Sequence, residues 1–460
     1  MNTNATFGRA AAAAAGPSAS NPQALNPPAP RLQRPDRSRP DPYPLSLDDR
    51  LVAEHPVRAL WDFVTAMDLA PLYATIQAVE GHPGRPPIDP RILVALWLYA
   101  TLEGVGSAHA LDQRCRRDDA FKWLCGGVSV NYHTLADFRT DHADWLEEQL
   151  VGSVAVLRRA GLVDLHQIGQ DGLRVRASAG SSSFKGCDQL QAYLAEAQAQ
   201  WDRLQAEAQA DPAQRNRRQQ KARERAARER LERLRRAQQE WQQVEAARER
   251  RQKGDGAKAR ASTTDPEARR MKMPDGGFRP AYNVQFATTL DHVVVVGVDV
   301  TNAGSDAGQM DPMVAQIEQQ HQHQPAAYFT DGGFATLEDI TNVSQRGVVV
   351  YTPVKDEDTK RQKGQDPFAP RPGDPPAVAA WRQRMGTEAG RQAYRQRSKC
   401  EWTNATCRQR GLYQVMVRGL AKVRAVALGY GLMVNFLRTL ALRAAASAET
   451  VRAAWAGAGG

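Results

Sequence analysis

The sequence predicts an α/β domain that is interrupted by a long helical hairpin and preceded by an all-helical region. Three observations carry this. Apolar residues recur at helical spacing from Ser46 to about Gly161. After Leu162 short β-branched runs begin to alternate with helices. Between the first two of those runs, Leu190, Leu194, Ala197, Trp201, Leu204 and Ala208 repeat at alternating four- and three-residue steps. A chain of 460 residues can hold two to four folding units with substantial cores.

Residues 1–43 are rich in Ala, Pro, Ser and Asn and are expected to form a disordered leader. In the helical domain, 44–161, Val57 to Trp61 opens one segment, and Asp89-Pro90 caps an apolar helix through Ile92, Leu96 and Tyr99. Segments from Ser107 to Arg117 and from Asp118 to Leu124 lead to a Gly126-Gly127 break and a helix from about His133 to Leu150. Three short helices with a glycine turn before the last are compatible with a helix-turn-helix reader that presents Asn131, His133, Thr134 and Arg139 to DNA. Many all-helical domains share that pattern.

Five strands are expected beyond Leu162: Leu165 to Arg176, Tyr282 to Thr289, His292 to Val300, Ala326 to Thr330 and Gly347 to Thr352. Asp306 is expected to cap a helix from about Gly308 to Gln319, and a second helix follows Asp331. A charged loop from Lys355 to about Pro376, a long helix from about Val378 to Gln409 and an apolar helix from Val415 to Leu442 complete the pattern. Three strands, a helix, a strand, a helix, a strand and terminal helices is the order of an RNase H-like α/β domain, here 162–186 and 262–445. The hairpin, 187–261, turns near Pro212 and is inserted between the first two strands, and 446–460 is expected to be a flexible tail.

Charge is regional. The 61 Lys and Arg exceed 51 Asp and Glu by ten, yet Ala213–Lys253 and Lys355–Arg424 each carry +9, leaving the remainder net negative. The Arg/Glu neighbours of the hairpin's second arm fit a solvated, ion-paired face or an arm that contacts DNA or dimerises. Five cysteines, few for the length, odd in number and without C-x-x-C spacing, argue against a disulfide scaffold or zinc knuckle. The longest apolar stretch, Ala425 to Leu437, is flanked by Arg424 and Arg438 and is too short for a membrane span. A cytoplasmic, nucleoid-associated protein without a membrane partner is expected.

Three acids stand where an RNase H-like sheet brings chain segments to one edge: Asp171 in the first strand, Asp331 at the exit of the fourth and Glu401 on a C-terminal helix. Three carboxylates meeting there suit hard cations, which prefer oxygen ligands and can activate an attacking oxygen while stabilising a leaving one. Each acid also has a plainer reading. Asp171-Gly172 and Asp331-Gly332-Gly333 are good turn sequences, and Glu401 is one helical Glu among many. Tyr394, Arg397, Glu401 and Arg408, spaced by three, four and seven, would share one helix face, where Arg could grip phosphate beside the acid. Lys399, Arg410 and Arg418 extend this cationic surface.

Several segments in order resemble bacterial insertion-sequence transposases of the DDE class: QDGLRVRASAG, GGFRPAYNVQFA, VTNAGSDAGQMDPM, FTDGGF and the stretch from Tyr394 to Leu440. The resemblance extends over about 44–180 and 262–440 and is closest to the branch with a helical N-terminal domain and a Tyr-Arg-Glu-Lys signature. It implies a catalytic triad of Asp171, Asp331 and Glu401 that uses two Mg²⁺ ions, with Mn²⁺ as a substitute. It implies cutting at the terminal inverted repeats of a mobile element and joining of 3′-hydroxyls to target DNA. Double-stranded DNA is the expected partner, bound by a homodimer or higher oligomer. Tyr394 and Arg397 take the signature's Tyr and Arg positions, and Arg408 stands where the family has Lys. Gly332-Gly333 after the second acid frees the backbone of that loop. A transposase-derived DNA-binding protein without activity, an RNase H-like nuclease and a helical interaction protein are the alternative functions.

Overall fold

The computed structural model describes residues 31–39, 45–78, 86–210 and 217–457, with the side chains of 210, 217 and 447–457 excepted. The chain divides into two compact units, Met1–Gly152 and Ser153–Gly460. The boundary falls inside a helix, earlier than the expected 161.

The first unit contains α1 (Pro56–Thr65), α2 (Ala70–Ala74), α3 (Pro90–Leu102), α4 (Ala108–Arg117), α5 (Asp119–Cys125), α6 (Tyr132–Asp141) and the start of α7 (Ala143–Arg159). Helix α3 is apolar on nearly every side because it is the central helix, with all but one of its residues buried. Asp89 caps it, accepting from the Arg91 N–H at 2.9 Å, with Pro90 at the first helical position. The single helix expected from His133 to Leu150 is instead α6 and α7, broken at the non-helical His142. A one-residue break leaves the apolar spacing almost in phase, so periodicity does not register it.

Residues 31–39, expected within the leader, are built into this unit. The Asp36 N–H donates to the Gly126 carbonyl at 2.8 Å, and the Arg37 guanidinium lies 3.7 Å from the Trp61 ring and 4.3 Å from that of Trp123. Burial pushes the Arg37 pKa down to about 10. The rest of the expected leader, 1–30 and 40–43, lies outside the described residues.

In the second unit follow β1 (Gln167–Arg176), β2 (Phe184–Lys185), α8 (Cys187–Ala210), α9 (Arg217–Arg251), β3 (Ala261–Ser262), β4 (Arg269–Lys272), β5 (Phe278–Thr289), β6 (Val295–Thr301) and α10 (Met310–His321). Then come β7 (Ala327–Phe329), α11 (Leu337–Gln345), β8 (Val349–Tyr351), α12 (Glu357–Gln362), α13 (Pro376–Gly386), α14 (Glu388–Tyr394), α15 (Glu401–Gln409) and α16 (Leu420–Gly457). The main sheet runs β6–β5–β1–β7–β8, with β4 also paired to β5. Strand β5 is antiparallel to β1, β4 and β6, whereas β1, β7 and β8 are mutually parallel. This is the RNase H-like order that the sequence predicts.

The hairpin arms α8 and α9 enter between β2 and β3, whose short antiparallel ribbon closes the base of the insertion. Ala197 packs with Leu231 and Leu234, and Leu190 with Ala237 and Ala261. The turn near Pro212 lies outside the described residues. Many α9 arginines face internal acids, as in Arg230–Glu196 at 3.0 Å and Arg236–Glu267 at 2.8 Å.

Four sequence expectations need correction. Strands β2, β3 and β4 were not expected, because two to four residues are too few to show alternation. The helix expected from Val378 to Gln409 is three helices, broken at Thr387 between α13 and α14 and by a tighter 3₁₀ turn, Arg395–Cys400, between α14 and α15, and the preceding loop contains α12. Asp306 does not cap α10, whose cap residue Gln309 makes no side-chain bond. Its Oδ1 instead accepts from Asn283 Nδ2 at 2.6 Å and Gln285 Nε2 at 2.8 Å. Finally, α16 runs on through Gly457, where a tail was expected from 446.

By length and composition Leu420–Ala446 could cross a membrane, contrary to the reading of its apolar stretch as too short, but 72% of its apolar window is buried in the unit. It is a core helix that covers the edge strand β6. Asn435 accepts from the Val295 N–H at 2.8 Å and donates to the Val295 carbonyl at 2.9 Å, which satisfies backbone groups at an otherwise open edge.

His321, at the end of α10, is buried, and its Nε2 donates to the Val296 carbonyl at 2.7 Å. Burial holds its pKa below the ordinary value, and the neighbouring Arg158 and His323 push the same way, against the Val296 bond. The unfolded chain therefore takes up this proton first, so the contribution of neutral His321 is complete above about pH 6.5 and declines as pH falls through that value. Urea denaturation should show the stability difference between wild type and His321→Gln narrowing from pH 7.5 to pH 5.5. A constant difference would contradict this.

Candidate active site

Sheet register explains why two of the acids meet. Parallel pairing joins Gly169 to Phe329, so Asp171 and Asp331 each follow two residues later, one inside β1 and the other just past the end of β7. Asp171 is inside β1, opposite Phe286 of β5, and is not in a hairpin turn. Asp331 does lie in a turn. Its Oδ1 accepts from the Gly333 N–H at 2.7 Å, and its carbonyl accepts from Thr352 Oγ1 at 2.8 Å. Fully buried Phe334 then anchors a loop in which two glycines would otherwise leave the backbone free. Stacking of Phe329 on Tyr351, centroids 4.7 Å apart, ties β7 to β8 just below the site.

Glu401 begins α15, and the 3₁₀ turn before it directs Arg397 inward. The Arg397 guanidinium reaches all three acids: Nη2 lies 3.3 Å from Asp171 Oδ1 and 3.9 Å from Asp331 Oδ2, and Nη1 lies 3.0 Å from Glu401 Oε1. Asp171 is the most enclosed of the three. Burial pushes its pKa up to about 6, Arg397 opposes the shift and Asp331 adds to it. Its Oδ1 also accepts from the Gly172 N–H at 3.0 Å, while its Oδ2 accepts from Asn404 Nδ2 at 2.9 Å.

The other expected residues separate into groups. Tyr394 ends α14 and is partly buried against the core, which pushes its pKa up to about 12. Tyr394, Arg397, Glu401 and Arg408 do not share one continuous helix, as the spacing predicts, but span α14, the 3₁₀ turn and α15. Arg408 is two turns beyond Glu401, about 10 Å along α15. Lys399 is exposed and donates to Gln396 Oε1 at 2.7 Å, and exposed Arg418 donates to the Ser178 carbonyl at 3.2 Å.

In the helical unit, Asn131 and Thr134 form the cap of α6. The Thr134 N–H donates to Asn131 Oδ1 at 3.0 Å. Arg139 donates to the Gly106 carbonyl at 2.6 Å and lies over the Trp97 ring at 4.3 Å. These contacts brace the half-exposed Arg139 side chain within the helical unit. His133 is exposed and packs on Tyr132, centroids 3.9 Å apart.

Two polar residues near the acids were missing from the sequence reading of the site. Asn404 lies three residues after Glu401, a helical spacing that already puts both on one side of α15. Asp306 approaches through its Oδ2, 3.7 Å from the position a Cβ would take on Gly333, itself 2.9 Å from Asp331 Oδ1. No sequence signal distinguishes Asp306 from a helix cap.

Two family models match this chain: the Transposase domain (DUF772) over residues 45–141 and the Transposase DDE domain over residues 241–436. The chain belongs to the insertion-sequence DDE transposases. No curated protein and no solved structure matches it. The second match contains Asp331, Arg397 and Glu401 of the transposase but begins after Asp171. The inclusion of Asp171 in the site thus rests on sheet register and on its bond to Arg397. As a DDE transposase the chain acts on DNA, and its family uses a divalent metal.

The donors here fit such a cation in kind: three carboxylates, all hard oxygen ligands, with no thiolate or imidazole among them. Among the described residues no three acidic, His or Cys side chains converge closely enough to hold a metal ion together. The positive charge between these carboxylates belongs to Arg397.

Proposed function

We propose that this transposase cleaves DNA at the terminal inverted repeats of its element and joins the freed 3′-hydroxyls to target DNA. The observation that carries this is the meeting of Asp171, Asp331 and Glu401 around one guanidinium, beside the middle of β1 and just past the carboxyl end of β7. In cleavage, water attacks phosphorus and the 3′ oxygen leaves. In joining, that 3′-hydroxyl attacks a target phosphodiester and displaces a second 3′ oxygen. Asp171, Asp331 and Glu401 would hold two Mg²⁺ ions, which when bound supply Lewis acidity to the attacking and leaving oxygens. Arg397 is placed to turn from the carboxylates to a phosphate, which its planar fork can grip with two hydrogen bonds. Tyr394 supports that turn of chain, Lys399, Arg408 and Arg418 neutralise DNA phosphates beyond it, and His133 lies on the helical unit's proposed DNA surface.

The test supplies purified protein and Mg²⁺ with DNA carrying the element's own ends plus a supercoiled target. Joined products are expected, and EDTA should abolish them. Nicks without joined products would replace this proposal with an RNase H-like nuclease. Binding to the repeats without any cleavage in Mg²⁺ or Mn²⁺ would replace it with a non-catalytic DNA-binding protein.

A further inference from the structure

We infer that Asn404 is a positioning residue of the proposed metal centre and acts through Asp171. The inference rests on the assignment of Asp171, Asp331 and Glu401 as metal ligands. Asn404 is buried, 8% exposed, on the turn of α15 that begins with Glu401. Its Nδ2 donates to Asp171 Oδ2 at 2.9 Å. The two oxygens of that carboxylate are therefore held by different kinds of donor. Oδ1 receives the Gly172 N–H and the charged Arg397, whereas Oδ2 receives a neutral amide.

This difference matters for a cation ligand. A second cationic donor at Oδ2 would fix the carboxylate but would also compete with the metal charge. The amide of Asn404 fixes the carboxylate plane without adding charge, and it links the strand that carries Asp171 to the helix that carries Glu401. A second observation points toward a ligand. Asn404 Oδ1 is buried and has no hydrogen-bond partner among the described residues, and Arg397 Nε is in the same state. Leaving a buried acceptor unpaired costs about 1–3 kcal/mol, so native proteins seldom do it without a partner to come. A water on a bound cation is a partner of suitable size and polarity, since Mg²⁺ usually keeps several of its waters.

Partners that orient metal ligands typically change metal affinity by about 10- to 100-fold when removed. Mn²⁺ binding to the full-length protein without DNA, followed by the loss of free-ion electron paramagnetic resonance signal, provides the readout. Asn404→Leu, similar in size but without donor or acceptor, is expected to weaken Mn²⁺ binding at least about 10-fold, with its melting temperature and metal-free DNA affinity unchanged. If Leu prevents folding, Asn404→Ser, which is too short to reach Asp171 Oδ2, should give the same loss. Wild-type Mn²⁺ affinity in a folded variant overturns the inference. Asp171→Asn separates the two levels of failure. If it loses Mn²⁺ while the Asn404 variants do not, only the positioning role falls. If it binds like wild type, the metal-site assignment falls too.

Discussion

Asp331→Asn is expected to leave a folded protein that binds DNA but forms joined products about a thousandfold more slowly. Asparagine keeps the Oδ1 acceptor that receives the Gly333 N–H at 2.7 Å, so the turn and the buried Phe334 anchor persist. The lost element is one anionic oxygen that would face the cation. Lewis-acid stabilisation of a displacement is worth several kcal/mol, and about 4 kcal/mol corresponds to about three orders of magnitude in rate. Gel assays of strand transfer in Mg²⁺, run beside a thermal melt, check both parts. Equal strand transfer by wild type and variant would remove Asp331 from the catalytic machinery.

Gly169→Ala is expected to have the largest effect of any single methyl addition near the site. Gly169 lies in β1 two residues before Asp171, and a Cβ there would overlap Cys400 Sγ and sit 2.9 Å from Leu290 Cδ2. Both neighbours are buried and have little room to move. Overpacking of this kind costs about 1–3 kcal/mol. It would also push back Cys400, and with it Glu401, the next residue, so strand transfer should fall together with stability. Burial pushes the Cys400 thiol up to about 12, so the clash is with a neutral, unreactive group. Removing Sγ should relieve it. The double variant Gly169→Ala, Cys400→Ala is expected to recover stability in urea denaturation relative to the sum of the two single changes. Strict additivity would show that the crowding lies elsewhere.

The features legible in the sequence are those with a period or a fixed chemical preference. Alternating apolar residues in β1, β5 and β6, the seam of Leu190, Ala197 and Leu231, and the Asp89-Pro90 start of α3 follow directly from side-chain spacing and capping. The order of strands and helices gives an RNase H-like layout, and that layout makes Asp171, Asp331 and Glu401 candidates that none of them would be alone. The illegible features are single contacts between distant parts of the chain. Nothing near Arg37 marks it as the filling between Trp61 and Trp123. Nothing near Asp306 says that two amides of β5 will hold it instead of the N–H groups of α10. The break at His142 and the 3₁₀ turn at Arg395–Cys400 leave no mark in the sequence because a small change of pitch hardly disturbs a 3.6-residue repeat.

By itself, then, the sequence determined the class of fold, the family resemblance and the three acids, because each depends on local preference or on the order of elements along the chain. The tertiary structure alone decided which groups hold those acids. It turned Arg397 toward all three carboxylates, set Asn404 on Asp171, and laid Arg139 over the Trp97 ring. Hydrogen bonds require partners within about 3 Å, and residues more than 200 positions apart, such as Asp171 and Asn404, reach that distance only after sheet register and helix packing have placed them.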